Sequence, residues 1–382
     1  MPMSGSKNLL YRCLLPAAPR VSGMHLIHSE GHPLSNAGGF ESLLRRHHVS
    51  GGAFLFRTEN QESRLYTRAF HTDVSPSGNT FFRVASVTKM ATALLAFRMQ
   101  DLGFLDLNAP ISSFLPDAAS VPDLQGVTAS HLLSHTSGLS DPPDLESMLL
   151  HRKPYPDAVA GQRICAPGAC FHYSNLGFGL LGCLFESVLN QPLGKIYQDY
   201  LFVPLGMRAS MEGCSLPEQS IMPVIRILPY HPGTSLAVTS LGRIPLSAPD
   251  PLLHYGHTAG SLYTDLMSLA RLLVCIRDGG APLLSSGLPM KRQAASYGRL
   301  SPQLSYGSGL LIIRDSRISS GPVYGHQGFA YGCVDGAFWE EDTGNLMISL
   351  NGGCSEARVG RLGLMNHDFC RFAFRKELPL WK

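Results

Sequence analysis

The chain has 382 residues, 44% of them hydrophobic, enough to bury a large core. Its net charge is +3 with only 15% charged residues, and no basic cluster exceeds Arg45-Arg46-His47-His48, which argues against nucleic acid as a partner. No apolar run reaches the roughly 18 residues that a spanning helix needs, so no membrane is expected as a partner either. The stretch around Leu9-Leu10 and Leu14-Leu15-Pro16 is too short and too interrupted for a signal peptide. The nine cysteines form no CxxC pair. Cys165 and Cys170 stand close enough in sequence to bond, but free thiols in a reducing compartment are the simpler expectation. Together these features point to a cytoplasmic protein.

Residues 1–35 read as an N-terminal tail or loosely packed lead-in. A short helix is expected over 39–48. Strands follow over 49–57 and 62–71, with Glu59-Asn60-Gln61 as the turn between them. From Ser86 to about Leu102 the residues read as one helix. Val87, Met90, Ala91, Leu94, Leu95, Ala96 and Phe97 leave it almost no polar face, which places it in the core. A short helix within 127–139 ends at Gly138, and helical patterns recur over 143–160, 176–190 and 194–203. Residues 207–257 are proline-rich and read as irregular. A helix over 264–278 stops at Gly279-Gly280. Beyond Tyr306, strands are expected over 309–314, 323–326, 332–340 and 345–351, the last two joined by a tight turn. A C-terminal helix over 357–376 closes the chain.

Strands thus lie at both ends and helices in the middle. The economical architecture is an α+β fold, with one antiparallel sheet built from both chain ends and flanked by helices. Residues 36–85 and 300–382 supply the sheet part. A mostly helical region, 86–299, is inserted between them. No internal repeat is evident.

Ser86 and Lys89 are three residues apart, so they stack on one face of the first helical turn. There a hydroxyl and an amine come within reach of each other, where backbone N–H groups point outward and the dipole is positive. A nucleophilic serine needs this arrangement of a nearby base and donors for a developing oxyanion. Alone, Ser-x-x-Lys is a weak signal, because Ser86 as a helix cap and Lys89 as a solvated charge account for it equally well.

Two further stretches join the pair: Tyr173-Ser174-Asn175 in a loop that opens a helix, and His326-Gln327-Gly328 on a strand. The ordered set resembles the serine β-lactamase-related superfamily, in particular its class C β-lactamase, D-alanyl-D-alanine carboxypeptidase and esterase branch. That group is marked by Ser-x-x-Lys, then Tyr-x-Asn, then Lys- or His-x-Gly. The stretches 82–89, 131–139 and 259–263 match it as well, and the resemblance covers residues 36–375. It implies a β-lactamase/transpeptidase-like fold and an acyl-enzyme on Ser86.

The resemblance also implies roles. Lys89 and Tyr173 share the proton transfer, Asn175 holds Lys89 and an acyl-side amide, and His326 takes the family's Lys/His position near Tyr173. Gly328 lets substrate backbone approach the strand, and the N–H groups of Ser86 and Phe329 form the oxyanion hole. The resemblance places His131 and His135 in a structural helix and turn. An ordinary lysine, with a pKa of about 10.4, is protonated at neutral pH, so burial or a second cation must lower it.

His326 stands where lactamases carry Lys, Gln327 where they carry Thr or Ser, and Phe329 where they often carry a small polar residue. These departures tilt the expectation toward esters or amides with apolar acyl groups. The alternatives are a β-lactamase or D-amino-acid peptidase, an acyltransferase, and a catalytically silent binding protein. His254 and His257 lack a third ligand at suitable spacing, so no metal and no cofactor are expected. The expected partner is a small-molecule or short peptide substrate. Pocket walls are expected from residues 140–160 and 207–257.

Overall fold

The computed structural model describes residues 5–18, 26–69, 72–115, 117–228, 239–285, 287, 289–291, 295–298 and 301–375. The helices are α1 (Gly5–Leu14), α2 (Ala37–Arg46), α3 (Thr88–Asp101), α4 (Ala129–Leu133), α5 (Leu145–Leu150), α6 (Tyr155–Val159), α7 (Asn175–Leu189), α8 (Leu193–Tyr197), α9 (Leu266–Arg277) and α10 (Leu364–Phe374). The first strands are β1 (Leu26–Gly31), β2 (Gly52–Arg57), β3 (Glu62–Thr67), β4 (Phe82–Arg83), β5 (Ala209–Ser210) and β6 (Tyr263–Thr264). The later ones are β7 (Ala295–Ser296), β8 (Leu304–Tyr306), β9 (Leu311–Ile313), β10 (Val323–Ala330), β11 (Cys333–Glu340), β12 (Leu346–Asn351), β13 (Arg358–Val359) and β14 (Leu362–Gly363).

Nine strands form one antiparallel sheet in the order β1-β3-β2-β12-β11-β10-β9-β8-β7. The two chain ends meet where β2 pairs with β12, from Arg57↔Leu346 to Gly52↔Asn351. The side chains of β2 alternate between the faces, as the strand period of 2 requires. Ala53 and Leu55 join the core that contains α3, α7 and α9. Phe54 and Phe56 join a second core beneath α2 and α10. There Phe40 packs edge-on to Phe54 at 5.2 Å, and Phe54 stacks on Phe369 at 5.5 Å. Helices therefore cover both faces, which makes β2 a continuous apolar run rather than an alternating one.

The central helix is buried on every side, as its sequence demands, but it begins at Thr88. Ser86 lies in the single 3-10 turn before it, Ala85–Val87. The C-terminal helix is shorter than expected, because the β13–β14 hairpin occupies residues 358–363.

Two expectations need correction. Residues within the supposed lead-in form α1 and β1, and β1 adds an edge strand against β3. The Asn8 side chain bonds both the N–H and the C=O of Arg358, and the Tyr11 hydroxyl accepts from the N–H of Glu356. These ties are long-range and polar, so no apolar periodicity announces them. The other correction is Cys165–Cys170, which is a disulfide with its Cα atoms 6.5 Å apart. Backbone bonds from Ile164 to Gly138 and from Gly168 to Thr136 fold that loop back and bring the two sulfurs together.

The segment 207–257 is largely irregular where it is described, and 229–238 lies outside the described residues. Arg271 bonds the carbonyl of Gly206 at the surface. Among the described residues no helix is long and apolar enough to cross a membrane.

Candidate active site

The site assembles where β10 crosses the turn that carries Ser86. The contact is backbone to backbone, since a Cβ on Gly328 would stand 2.4 Å from the Val84 carbonyl oxygen and 3.1 Å from the Ala85 Cβ. Gly328 is buried there and does not line the cleft. Its bare Cα admits the nucleophile turn. Ala85 has φ +46°, a left-handed conformation rare outside glycine, immediately before Ser86.

Lys89 is fully buried beneath Ser86. Its Nζ lies 3.2 Å from Ser86 Oγ, 2.9 Å from Asn175 Oδ1 and 2.8 Å from the carbonyl of Ala259. Burial lowers the Lys89 pKa to about 7, helped by the Arg83 cation and opposed by Asp141. Arg83 is thus a minor second cation beside the effect of burial.

Tyr173 packs its ring 4.9 Å from Lys89 Nζ. Burial pushes its phenol far up, and a hydrogen bond with Ser86 only partly offsets this. At rest Tyr173 is therefore a phenol, and Lys89 is the group able to hold or release a proton near pH 7.

His326 is buried, 6.4 Å from Tyr173 between ring centroids. Its Nδ1 is 2.7 Å from the Gln327 carbonyl, which can only accept, so Nδ1 carries the proton. Its Nε2 then accepts from the Tyr306 hydroxyl at 3.0 Å. Burial and the nearby Lys89 lower its pKa to about 3, so the ring is neutral. The Gln327 side chain bonds the carbonyl of Arg361 and the N–H of Gly363, which anchors the β13–β14 hairpin beside the site.

Several contributors carry no local sequence signature. Asp141 accepts from Asn175 Nδ2 at 3.0 Å, Ser174 Oγ at 2.8 Å and the N–H of Leu176 at 2.9 Å. It turns the Asn175 amide so that Oδ1 faces Lys89. His135 packs against the site from the turn after α4. Its Nδ1 accepts from the Ser174 N–H, and its ring lies 4.2 Å from that of Tyr173. His131 closes the capping box of α4 with Thr128. His254 pairs with Glu186 at 2.9 Å, and among the described residues no group of three potential metal ligands occurs.

Ser86, Tyr173, Asn175, His326 and Phe329 open onto one cleft of about 920 Å³, at the upper end of ordinary ligand sites. Its walls include Asp141, Pro142, Pro143, Leu145, Glu146, Leu149, Arg226 and Leu241, from the segments expected from the sequence, together with Tyr297, Arg358 and Arg361, which were not. The Arg358 guanidinium lies over the Phe329 ring at 3.8 Å.

Comparison with known proteins shows the family. A family model described as Beta-lactamase matches residues 39–339. The chain is 31% identical over 220 residues to "Penicillin-binding protein 4" of Amycolatopsis lactamdurans, covering 55% of this chain and 54% of that protein. It is 31% identical over 221 residues to "Esterase EstB" of Burkholderia gladioli, covering 51% of this chain and 53% of that protein. It therefore spans about half the length of these curated relatives. Its fold resembles that of the D-amino acid amidase from Ochrobactrum anthropi SV3 complexed with L-phenylalanine. That likeness has a TM-score of 0.68 and 22% identity, covering 88% of this chain and 96% of that one.

Proposed function

We propose, from the premise that the chain belongs to the beta-lactamase family, that it is a serine hydrolase working through an acyl-enzyme on Ser86. The observation that carries this reading is the buried Lys89 amine, 3.2 Å from Ser86 Oγ with a pKa of about 7. Neutral Lys89 takes the Ser86 proton as Oγ attacks an ester or amide carbonyl. The N–H groups of Ser86 and Phe329 receive the oxyanion. Tyr173 relays the proton to the leaving group, and water then releases the acyl group by the reverse sequence. Neutral His326 supplies no positive charge beside Tyr173, which supports substrates without a carboxylate on the leaving-group side.

The experiment is a pH profile. Lys89 must be neutral to act, so kcat/KM should rise with pH and level off above about 7. Asp141 raises the Lys89 pKa, so removing its charge should move the acid limb to lower pH. Asp141→Asn tests this, and its maximal rate should also fall, because one Asn175 contact becomes donor to donor. An acid limb that stays in place would separate Asp141 from Lys89.

Arg358 and Arg361 favour a second reading, in which a carboxylate sits on the leaving-group side, as in a lactam or a peptide. A charge-assisted hydrogen bond is worth about 1.5–3 kcal/mol, or roughly one to two decades in specificity. Arg358→Gln should therefore weaken nitrocefin turnover by about tenfold more than that of a neutral p-nitrophenyl ester. The wild type should still prefer the ester, since His326 is neutral and Gln327 is committed to the hairpin. A wild-type preference for nitrocefin would favour the lactam reading.

A further inference from the structure

The β10–β11 connection is a two-residue hairpin turn, with Ala330 opposite Cys333 and only Tyr331-Gly332 between them. Both turn residues have positive φ, +56° for Tyr331 and +100° for Gly332. This is the primed turn that Asn-Gly or Gly-Gly suits best, and a bulky aromatic at its first position is strained. Such strain persists only where the surroundings enforce it, and it clusters at functional positions. Here they do enforce it. A Cβ on Gly332 would stand 2.4 Å from the Ile225 carbonyl oxygen, so the turn is pressed against residues 225–226. The Tyr331 hydroxyl reaches across to Glu146 of α5 and donates to Oε1 at 3.0 Å. The Arg83 guanidinium lies over its ring at 5.1 Å. All three side chains line the cleft.

The proposal rests on the acyl-enzyme reading, which orients the substrate. Tyr173 protonates the leaving group, so that group lies on the Tyr173 side. With the carbonyl oxygen between the N–H groups of Ser86 and Phe329, the acyl chain runs the other way, along the end of β10 toward Ala330 and Tyr331. We propose that the Tyr331–Glu146 bridge, braced by Arg83, closes the acyl end of the cleft and makes Tyr331 the residue that selects short acyl groups.

The test compares wild type with Tyr331→Asn and Glu146→Ala on p-nitrophenyl acetate and octanoate. Ser86 labelling rates by fluorophosphonates with short and long alkyl chains give a second readout. Wild type should prefer the short chain by both readouts, and each variant should raise the long-to-short ratio about tenfold or more. Asn suits the turn, so Tyr331→Asn should keep or raise the Tm. Glu146 is exposed, so its variant carries the test if the other misfolds. A long-to-short ratio unchanged in a folded variant, or a wild type without length preference, would overturn the bridge while leaving the hydrolase reading intact. Labelling of Ser86 with the expected length preference but no ester turnover would overturn the hydrolase reading and support the bridge. No labelling at all would overturn both.

Discussion

Lys89→Ala is expected to lower kcat/KM by about 10³-fold, Tyr173→Phe by a comparable factor, and the double variant by little more than either. In the proposed mechanism the two side chains serve one proton route. Lys89 Nζ touches Ser86 Oγ at 3.2 Å, and the Tyr173 ring packs 4.9 Å from the same amine. Their states differ, because burial drives the amine toward neutrality and holds the phenol protonated. Neither can replace the other. Without the amine nothing near Ser86 accepts its proton at pH 7, and without the phenol the proton does not reach the leaving group. Losses that multiply in the double variant would mean that the two act in separate steps. The pH limb near 7 should also vanish in Lys89→Ala and persist in Tyr173→Phe, which assigns that limb to one residue.

Gly328→Ala should also be damaging, although it removes no functional group. The new Cβ would meet the Val84 carbonyl oxygen at 2.4 Å, and backbone on both sides leaves little room to yield. Overpacking of this kind costs typically 1–3 kcal/mol in stability. The larger effect is on catalysis, because the displaced atoms carry Ser86 on one side and the Phe329 N–H on the other. A misplacement of about 1 Å at reacting atoms can cost on the order of 10²-fold. Thermal unfolding together with kcat should therefore show a modest Tm loss beside a large rate loss. An active Gly328→Ala enzyme with unchanged Tm would show that β10 does not press on the nucleophile turn.

The contrast between these residues explains what could be read from the chain. Ser86 and Lys89 are neighbours through a helical turn, a relation that spacing encodes directly. The sheet built from both ends was legible because β2, β11 and β12 are apolar runs bounded by turn residues. Asp141 reaches Asn175 only because the chain returns from 34 residues away, and no local pattern marks that contact. Tyr306 and Arg358 enter the site in the same way, from β8 and from β13. Strand β1 is a polar edge whose pairing has no hydrophobic period. The left-handed Ala85 cannot be inferred from an alanine, since nothing in that residue type announces a positive φ. Positions 326, 327 and 329 favour apolar acyl groups, whereas Arg358 and Arg361 reach the site from a hairpin distant in sequence.

The central claim is a covalent acyl-enzyme on Ser86, and intact-protein mass spectrometry after a fluorophosphonate or a slow ester tests it most directly. The account predicts one stoichiometric adduct, localised to the peptide containing Ser86 and absent from Ser86→Ala. An adduct of equal yield in Ser86→Ala, or one localised elsewhere in the wild type, would contradict it.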